Sequence, residues 1–469
     1  MSAPARHATE LEADRVESAV GARITPSAEF LANVKRVREQ LIERVTREAA
    51  ARSSPLVNAI VAGSAARGTF LSDRLDIDLF LLFPPDLPRD RLREEGLALG
   101  RAVLTDPETR YAEHPYLRGR YEGFSVDAVP GFAITDPAHP ISPVDRTPFH
   151  QAYLAARETP FEVGQVRLTK QFLRGLGVYG SEAKTEGFSG YLVELLVLKF
   201  GSFRGILTAA RRWRIPVRLA EPGTEAPGLP EDIALILTDP VDPHRNVASA
   251  LSRRNLGLFV VGSGAYLDAP SEAWFEVRAP APISRGEAMR RTGERASHVS
   301  VVELPRPDLV DDTLYPQIRK AESAIAEEAA RAGFGLLGSA SAADPERVLI
   351  VLEVEHRLRS PVRRRDGPPP GIDRVGPFLE KWTRTEGSVL QGPYVRADGS
   401  LAVETRWTEC ELEAFLRESL PRLSLGKNLT PSDVATVAVR PLATAADSPA
   451  LADALRQLLG KGLPWHDRR

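Results

Sequence analysis

The sequence has almost no cysteine and no long apolar run. Cys410 is the only cysteine among 469 residues, so neither a disulfide framework nor a cysteine-rich zinc site can form within the chain. A single thiol favours a reducing, cytoplasmic setting. No segment has the apolar length that a membrane span needs, and residues 1–20 lack the basic start and apolar core of a secretory signal. We therefore expect neither export nor membrane insertion.

The sequence also lacks a large net charge of either sign. The 61 lysines and arginines nearly offset the 63 aspartates and glutamates, so total charge neither favours nor excludes a polyanionic partner. Hydrophobic residues make up 43% and charged residues 26%, a balance that is typical of folded globular proteins. Because the chain is longer than one ordinary core can organise, we expect several domains.

Apolar spacing and turn residues predict the order of the elements. The predicted elements are a helix over 29–52, strands over 56–63 and 77–83, a helix over 90–103, a strand over 124–129, a mainly helical region over 149–210, and then strands over 301–304 and 347–355 flanking a helix over 315–332. Prolines near residues 278–286 indicate a linker. Residues 1–20 are expected to be a mobile tail or a frayed helix.

The strongest chemical signal lies in the segment GSAARGTFLSDRLDIDLFLLF. Gly63 and Ser64 close a strand, where backbone N–H groups and a hydroxyl can hold phosphate oxygens, and Arg67 adds positive charge nearby. Asp76 and Asp78 are two apart in a strand, so both carboxylates lie on one face. Two carboxylates this close repel unless cations lie between them, and Mg²⁺ prefers such oxygen ligands and shares them with substrate phosphates.

A third acid, Asp127, lies in the strand SVDAV, where Val126 and Ala128 are expected to face the core. Three converging carboxylates suit a two-metal phosphoryl transfer, in which one ion activates a 3′ hydroxyl and the other steadies the triphosphate and the leaving pyrophosphate. Alone, an Asp-x-Asp pair is usually a solvated strand face and a Gly-Ser dipeptide a turn. Their combination in this order predicts catalysis.

This pattern resembles the nucleotidyltransferase superfamily, whose signature is Gly-Ser, a short gap, Asp-x-Asp and a later third acid. The narrower resemblance is to the archaeal-type, class I CCA-adding enzymes, over about residues 25–435. It continues through DRTPFH at Asp145–His150, RLTKQFLRGLGVYGSEAKTEGFSGYLVELL at Arg167–Leu196, DPVDPHRNVASALS at Asp239–Ser252, DDTLYPQIRK at Asp311–Lys320, VLEVEHRL at Val351–Leu358 and SLGKNL at Ser424–Leu429.

The resemblance implies an enzyme that completes the 3′ CCA end of tRNA without a template, using CTP, ATP and Mg²⁺. The implied partners are tRNA, through its acceptor arm and 3′ end, and the two nucleotides; no membrane is implied, and a homodimer is possible. The implied fold is α+β and multidomain, with a small mixed-sheet nucleotidyltransferase palm, a helical central domain and C-terminal α/β RNA-binding modules. The expected boundaries are a flexible tail over 1–20, the catalytic domain over 21–148, a helical nucleotide-binding domain over 149–276, the tRNA-binding body over 277–445 and an extension over 446–469.

The same resemblance implies the site residues. Asp76, Asp78 and Asp127 would bind magnesium and carry catalysis. Ser64 and Arg67 would contact the triphosphate. The remaining implied nucleotide contacts are His150, Lys170 and Tyr179, which complete the ATP and CTP pocket, and Arg245, which reaches the incoming base.

Each implied nucleotide contact has a simpler alternative. His150 could be a satisfied histidine at a helix start, Lys170 a solvated helical lysine, and Tyr179 a core aromatic. Arg245 could be a capping or ion-pair residue in a loop. The sequence leaves these alternatives open.

An RNA surface is expected in the C-terminal half, because A-form RNA is recognised mainly by shape, phosphates and 2′ hydroxyls. The basic loop at Arg363–Arg365 has no counterpart in the family pattern. The candidate basic residues are Arg319, Lys320, Arg357, Arg359, Arg363, Arg364, Arg365 and Lys427. Two alternative functions remain: another template-independent RNA nucleotidyltransferase of the poly(A) or poly(U) polymerase type, and a catalytically silent RNA-binding homologue. A small-molecule adenylyltransferase would not need so large a C-terminal half.

Overall fold

The computed structural model describes residues 3–72, 75–111, 115–220, 228–384, 387–429 and 437–465. The chain forms an N-terminal unit, Met1–Ala279 with Leu463–Arg469, and a C-terminal unit, Pro280–Gly462. Both units combine helices with sheets, which confirms the predicted α+β multidomain class. Within the described ranges, no helix is long and apolar enough to cross a membrane.

The first part of the N-terminal unit is built on a five-stranded mixed sheet, the palm sheet. Its elements are α2 (Ala28–Ala51), β1 (Asn58–Ala62), α3 (Gly63–Arg67), β2 (Asp76–Phe83), α4 (Arg89–Val103), β3 (Thr105–Tyr111), β4 (Pro115–Tyr121) and β5 (Phe124–Phe132). The strand order is β1-β2-β5-β4-β3; β2 and β5 are parallel, and all other neighbours are antiparallel.

The alternating burial of side chains along β2 shows which face of the palm sheet carries the acids. Ile77 and Leu79 are fully buried, whereas Asp76 and Asp78, at the alternate positions, are only partly buried. The apolar side chains of β2 share one core with the buried stripes of α2 and α4. Two helices therefore cover one face of the sheet and leave the acidic face for chemistry.

Of the two structures expected for residues 1–20, a mobile tail or a frayed helix, the chain forms a helix that packs on the core. Residues Ala3–Ile24 form helix α1, and Val16 and Val20, four residues apart, are fully buried in the core of the helical layer. Glu17 on the same helix accepts a hydrogen bond from the Tyr266 hydroxyl at 3.2 Å. The periodic signal was weak, because only Ala13, Val16, Val20 and Ile24 form the buried stripe and the largest other apolar residue, Leu11, is exposed.

The second part of the N-terminal unit is a helical layer, as expected. Its elements are a 3₁₀ turn (Pro143–Arg146), α5 (Thr147–Ala155), α6 (Pro160–Leu176), α7 (Gly190–Phe200), α8 (Phe203–Ala210), β6 (Val217–Arg218), β7 (Leu235–Ile236), α9 (Arg253–Asp268) and a 3₁₀ turn (Glu272–Phe275). Phe172 lies at its centre, with ring centroids 5.4 Å from Phe203 and 5.5 Å from Tyr266. At Gly175 an added Cβ would lie 2.0 Å from the Trp274 carbonyl oxygen, so this close approach requires glycine.

The C-terminal unit contains a four-stranded and a three-stranded antiparallel sheet. Its elements are α10 (Arg285–Glu294), β8 (His298–Pro305), α11 (Asp311–Arg331), β9 (Leu336–Ala343), β10 (Arg347–Val354), β11 (Val362–Asp366), α12 (Val375–Arg384), β12 (Val389–Val395), β13 (Leu401–Arg406), α13 (Leu412–Ser419), a 3₁₀ turn (Leu420–Arg422), β14 (Ala438–Pro441), a 3₁₀ turn (Leu442–Thr444) and α14 (Pro449–Leu459). The strand orders are β14-β8-β10-β9 and β11-β13-β12.

Strand β10 is covered on both faces, which explains its unbroken apolar run. Ile350 and Leu352 join the core formed with α11 and α13, whereas Leu349 and Val351 join the core formed with α10 and α14. Because α14 supplies buried residues to the second core, residues 449–459 belong to the C-terminal unit and are not a separate extension.

The basic segment that was expected to be a loop is strand β11, at the edge of the small sheet. The guanidinium of Arg363 lies 4.0 Å from the ring centroid of Trp407, and that of Arg365 lies 5.3 Å from Trp382. Arg364, between them, is exposed, as strand alternation requires.

One expected RNA contact, Arg359, is internal instead. Its side chain is only 8% exposed, its Nη1 donates to the Ala332 carbonyl at 2.8 Å, and its guanidinium lies 3.6 Å from the Trp407 ring centroid. Arg357 is exposed but forms an ion pair with Glu411. Arg359 therefore stabilises the C-terminal unit and is not a surface contact.

Candidate active site

The three aspartates that were predicted to be catalytic lie together on the palm sheet. Strands β2 and β5 are parallel neighbours, and Asp78 is paired in register with Asp127. Asp76 precedes Asp78 on the same face, two residues earlier. Arg118 of β4 donates to both oxygens of Asp127, through Nε at 2.7 Å and Nη2 at 2.6 Å.

The turn after β1 brings the backbone against Asp78. Gly63 has a positive φ of 70°, and an added Cβ would lie 2.5 Å from Asp78 Oδ2. Only glycine satisfies both conditions without strain. Ser64 follows in the first turn of α3, and its carbonyl accepts the Thr69 N–H at 3.2 Å. The Gly-Ser dipeptide is thus next to the acids, as the motif predicts.

The charge on Asp78 is unfavourable in its surroundings. Burial and the negative charges of Asp127 and Asp76 raise the pKa of Asp78 to about 7. In the described part of the chain, no three His, Cys, Asp or Glu side chains are arranged to hold a metal ion as they stand. The donor chemistry nevertheless fits a divalent cation, because all three groups are hard carboxylates whose repulsion a cation relieves.

Arg67 and Lys170 meet on a buried carboxylate, Glu194 of α7. Arg67 Nη2 lies 2.6 Å from Glu194 Oε2, and Lys170 Nζ lies 3.4 Å from Oε1. The Thr69 hydroxyl donates to Oε1 at 2.7 Å. Burial alone would raise the pKa of Glu194, but Lys170 and Arg67 outweigh burial and hold that pKa below its usual value. Lys170 is therefore not a solvated helical lysine.

A second carboxylate, Glu158, is buried beside this network without hydrogen bonds. Its side chain is 4% exposed, and the nearest Arg67 atom, Nε, is 3.5 Å from Oε2. Neither oxygen has a hydrogen-bond partner within the described residues. Burial and the negative charge of Glu194 raise the pKa of Glu158 to about 7.

The substitution Glu158→Gln is expected to stabilise the protein, and to do so more at pH 8 than at pH 4.5. The raised pKa of Glu158 means that the folded state binds the proton more tightly than the unfolded state does. The free energy of unfolding therefore falls as pH rises from 4.5, the ordinary pKa of glutamate, to about 7, the pKa of Glu158 in the folded protein. Removing the acid removes that loss, which we expect to be about 1–3 kcal/mol. Denaturant unfolding of both proteins across this pH range measures the difference.

The exposed Glu94→Gln provides the matched control, because its side chain lies on the surface of α4. Its stability should follow that of the wild type at every pH. A constant offset between Glu158→Gln and the wild type, with no dependence on pH, would contradict the assignment of a raised pKa to Glu158.

His150 and Arg245 are brought together by another buried acid, Asp239. His150 Nε2 lies 2.8 Å from Asp239 Oδ2, and Arg245 Nη1 donates to the same oxygen at 2.7 Å. The Tyr191 hydroxyl donates to Oδ1 at 3.0 Å. The His150 and Tyr191 rings stack with centroids 4.1 Å apart. Arg245 is thus the ion-pair residue of the simpler alternative, and its side chain remains 36% exposed.

Tyr179 lies at the edge of the helical core, near Lys170. It forms an isolated backbone bridge with Phe188 and packs, partly buried, on the helical core. At Gly190 an added Cβ would lie 3.4 Å from the Tyr179 hydroxyl and 3.7 Å from Lys170 Nζ. The phenol and the ammonium therefore border the same position at the start of α7.

Sequence reasoning missed Arg118, Thr69, Glu194 and Asp239. A usable signal existed for Glu194, since an acid inside the apolar run YLVELLVL must find a partner when it is buried. Its partners could not be named, because they lie 24 to 127 residues away along the chain.

Family comparisons cover most of the chain. The nucleotidyltransferase domain matches residues 42–150, the second domain of tRNA nucleotidyltransferase matches 164–276, and the C-terminal domain of CCA-adding enzyme matches 295–437. The CCA-adding enzyme of Haloarcula marismortui is 37% identical over 405 residues, which cover 82% of this chain and 85% of that protein. The CCA-adding enzyme of Halorubrum lacusprofundi is 40% identical over 400 residues, with 83% and 86% coverage.

The chain belongs to the CCA-adding enzyme family. The predicted resemblance to the archaeal enzymes is confirmed, because the relatives are archaeal and extend through both units. Among solved structures, CdnC from E. coli MS115-1 with ATP is 20% identical, with a TM-score of 0.42, and covers 56% of this chain and 94% of that one. In this member of the CCA-adding enzyme family, the three acids lie within the nucleotidyltransferase segment, and Glu194 and Asp239 lie within the second-domain segment.

Proposed function

We propose that this enzyme builds and repairs the 3′-terminal CCA of tRNA from CTP and ATP, without a template. The observation that carries the proposal is the set of three carboxylates on one face of adjacent strands, Asp76, Asp78 and Asp127, in a member of the CCA-adding enzyme family. Asp78 and Asp127 are paired in register, so both can face one reacting phosphate.

In the proposed reaction, the 3′ hydroxyl oxygen of tRNA attacks the α-phosphorus of the nucleotide. The bond to the α,β-bridging oxygen breaks, pyrophosphate leaves and the hydroxyl loses its proton. Magnesium ions held by Asp76, Asp78 and Asp127 would promote loss of that proton and neutralise the leaving pyrophosphate. Asp127 would lie by the attacking oxygen, as a ligand or a base.

The nucleotide is proposed to bind between Glu194 and Asp239. Ser64, Arg67, Lys170 and Tyr179 are assigned to the triphosphate and sugar. Support comes from Lys170 and Arg67, which bring two positive charges to one carboxylate, Glu194. While the neighbouring Glu158 is protonated, the cluster keeps one positive charge to offer phosphates.

The base is assigned to His150 and Arg245, on the side of Asp239. Arg245 offers a planar fork of donors, of which the Asp239 contact uses one. Such a fork suits an edge that C and A share and that G and U lack.

The acceptor arm and 3′ end of tRNA are the proposed RNA ligand, and the C-terminal unit supplies the basic surface. Exposed Arg364 on β11 is one of the remaining candidates.

A cytoplasmic setting is proposed because tRNA maturation takes place in a reducing compartment and the chain has a single cysteine. A homodimer is the proposed alternative to a monomer, and sedimentation of the purified protein distinguishes the two.

The decisive experiment uses tRNA transcripts that end before CCA, after C and after CC, with Mg²⁺ and each labelled nucleotide separately. We expect only the missing nucleotides to be added efficiently, from CTP and ATP, with product from GTP or UTP formed only at a small fraction of that rate. A long homopolymer would instead establish the poly(A) or poly(U) polymerase alternative. Absence of incorporation, together with tRNA binding that weakens with salt, would establish the silent RNA-binding alternative.

A further inference from the structure

A buried loop acid, Asp239, connects three side chains from separate parts of the helical layer. Its side chain is 0% exposed. It accepts hydrogen bonds from Arg245 of its own loop and from Tyr191 of α7, and it contacts His150 of α5. The Val241 N–H donates to Oδ1 at 3.1 Å. Both carboxylate oxygens are therefore fully engaged.

These contacts keep Asp239 ionised inside the protein. Burial alone would raise the pKa of Asp239, but the contacts with His150, Val241 and Arg245 outweigh burial and lower that pKa to about 2. An ionised carboxylate only accepts hydrogen bonds, so the His150 nitrogen that faces it, Nε2, carries a hydrogen. Because Nε2 faces the acid, Nδ1 is the ring nitrogen of His150 that points away from it.

The contacts fix the orientation of His150 and Arg245 as well as their position. The His150 ring lies against Tyr191 with an interplanar angle of 31°, so stacking fixes its plane and Asp239 fixes its rotation. The Asp239 N–H donates to the Arg245 carbonyl at 2.9 Å, so the loop closes on itself while the Arg245 side chain folds back over the acid. One guanidinium nitrogen is committed, and the others keep a defined direction.

We propose that Asp239 is a positioning residue for base selection: it acts through His150 and Arg245, sets the direction of their remaining polar atoms before the nucleotide arrives, and so determines discrimination of C and A from U and G. The proposal rests on the proposed function. It assigns no contact between Asp239 and the nucleotide.

The test variant is Asp239→Asn, which preserves shape and removes the charge. The amide keeps one acceptor oxygen and replaces the other by NH2, so either His150 and Arg245 or Tyr191 and the Val241 N–H lose their acceptor. The three side chains can then no longer all converge on residue 239. With tRNA ending before CCA, kcat and KM are measured for CTP and for UTP. We expect the ratio of kcat/KM for CTP over UTP to fall by about tenfold or more, with the loss for CTP appearing chiefly in KM.

The matched control is Asp242→Asn in the same loop. Asp242 is equally buried, but it pairs with Arg146 Nε at 2.6 Å and accepts the His244 N–H at 2.9 Å. If the effect of Asp239→Asn came only from a less rigid loop, Asp242→Asn should change the CTP to UTP ratio by the same factor. Asp242→Asn is expected to lower the unfolding temperature and to keep the CTP to UTP ratio within about twofold of the wild type.

An unchanged ratio in Asp239→Asn, or an equal fall in both variants, would overturn the proposal. If Asp239→Asn does not fold, Tyr191→Phe decides, because it removes one hydrogen bond to Oδ1 and keeps the stacked ring. A fall of the ratio by about two- to fivefold would support positioning, and no change would overturn it. Failure of the proposed function is separate, since it would appear as homopolymer or no product from the wild type.

Discussion

Replacing Asp78 by asparagine is expected to lower the rate of nucleotide addition by about a thousandfold or more, because metal-assisted stabilisation is worth several kcal/mol and each 1.4 kcal/mol is tenfold in rate. Asp78 lies between Asp76 and Asp127 on the palm sheet, so it is the carboxylate best placed to share cations with both. Single-turnover addition of CMP to tRNA lacking CCA measures the effect.

The same substitution should leave the folded protein intact. Asparagine has the shape of aspartate, so the close approach of Gly63 is kept. It also removes one of three repelling charges, so in metal-free buffer Asp78→Asn should unfold at the same denaturant concentration as the wild type or at a higher one. Affinity for tRNA should change by less than about threefold, because Asp78 belongs to the N-terminal unit and the proposed tRNA surface to the C-terminal unit.

The exposed Asp86→Asn, in the turn after the same strand, is the matched control for Asp78→Asn. It removes an equal charge outside the acidic face and should keep full activity. If Asp78→Asn retained more than about a tenth of wild-type activity, the metal role of these acids would be wrong.

The acidic face could be predicted from the sequence because strand alternation is local. The predicted strand over 77–83 is β2, Asp76–Phe83, and the predicted helix over 90–103 is α4, Arg89–Val103. In β2 a single fact, that Ile77 is buried, places its neighbours Asp76 and Asp78 on the opposite face. Gly63 could also be recognised from a local pattern, because a sharp turn after a strand needs glycine.

The hairpin of β3 and β4 was not predicted, and it carries Arg118. Its first strand, TDPETRY, is polar and contains proline, which is compatible with an edge strand but gives no alternating apolar signal. The ion pair between Arg118 and Asp127 depends on the pairing of β4 with β5. Pairing between strands is a property of the folded sheet and is absent from the local pattern.

The buried acids show the same limit in the helical layer. Glu194 is separated from Arg67 by 127 residues and Asp239 from His150 by 89. A sequence pattern can indicate that a buried charge needs a partner, but several cations could serve. The resemblance named Arg67, Lys170, His150 and Arg245; only the structure shows that two carboxylates divide them into two pairs, one on Glu194 and one on Asp239.

Replacing Glu194 by glutamine is expected to lower the free energy of unfolding by about 3–5 kcal/mol, because removing one partner of a buried ion pair leaves uncompensated charge. The side chains of Arg67 and Lys170 are 9% and 3% exposed, so water cannot solvate the charge that Glu194 now balances. Equilibrium denaturant unfolding, followed by a probe in the N-terminal unit, measures the loss.

Glu353→Gln in the C-terminal unit is the matched control for Glu194→Gln. Glu353 is buried to the same degree, 1% exposed, but the side chain of its partner Arg295 is 53% exposed and remains hydrated when the pair is broken. The loss should therefore be clearly smaller than that of Glu194→Gln. Equal losses would show that burial of the acid, and not burial of its cations, sets the effect.

The double variant Lys170→Met with Glu194→Gln tests the origin of the instability. If the uncompensated ammonium of Lys170 is the cause, replacing it by an uncharged side chain of similar length should restore part of the lost stability, with a coupling energy of about 1 kcal/mol or more. Activity should not return, because Lys170 is assigned to the triphosphate. Recovery of stability without recovery of nucleotide addition would separate the two duties of this side chain, and additive losses would contradict a direct ion pair in solution.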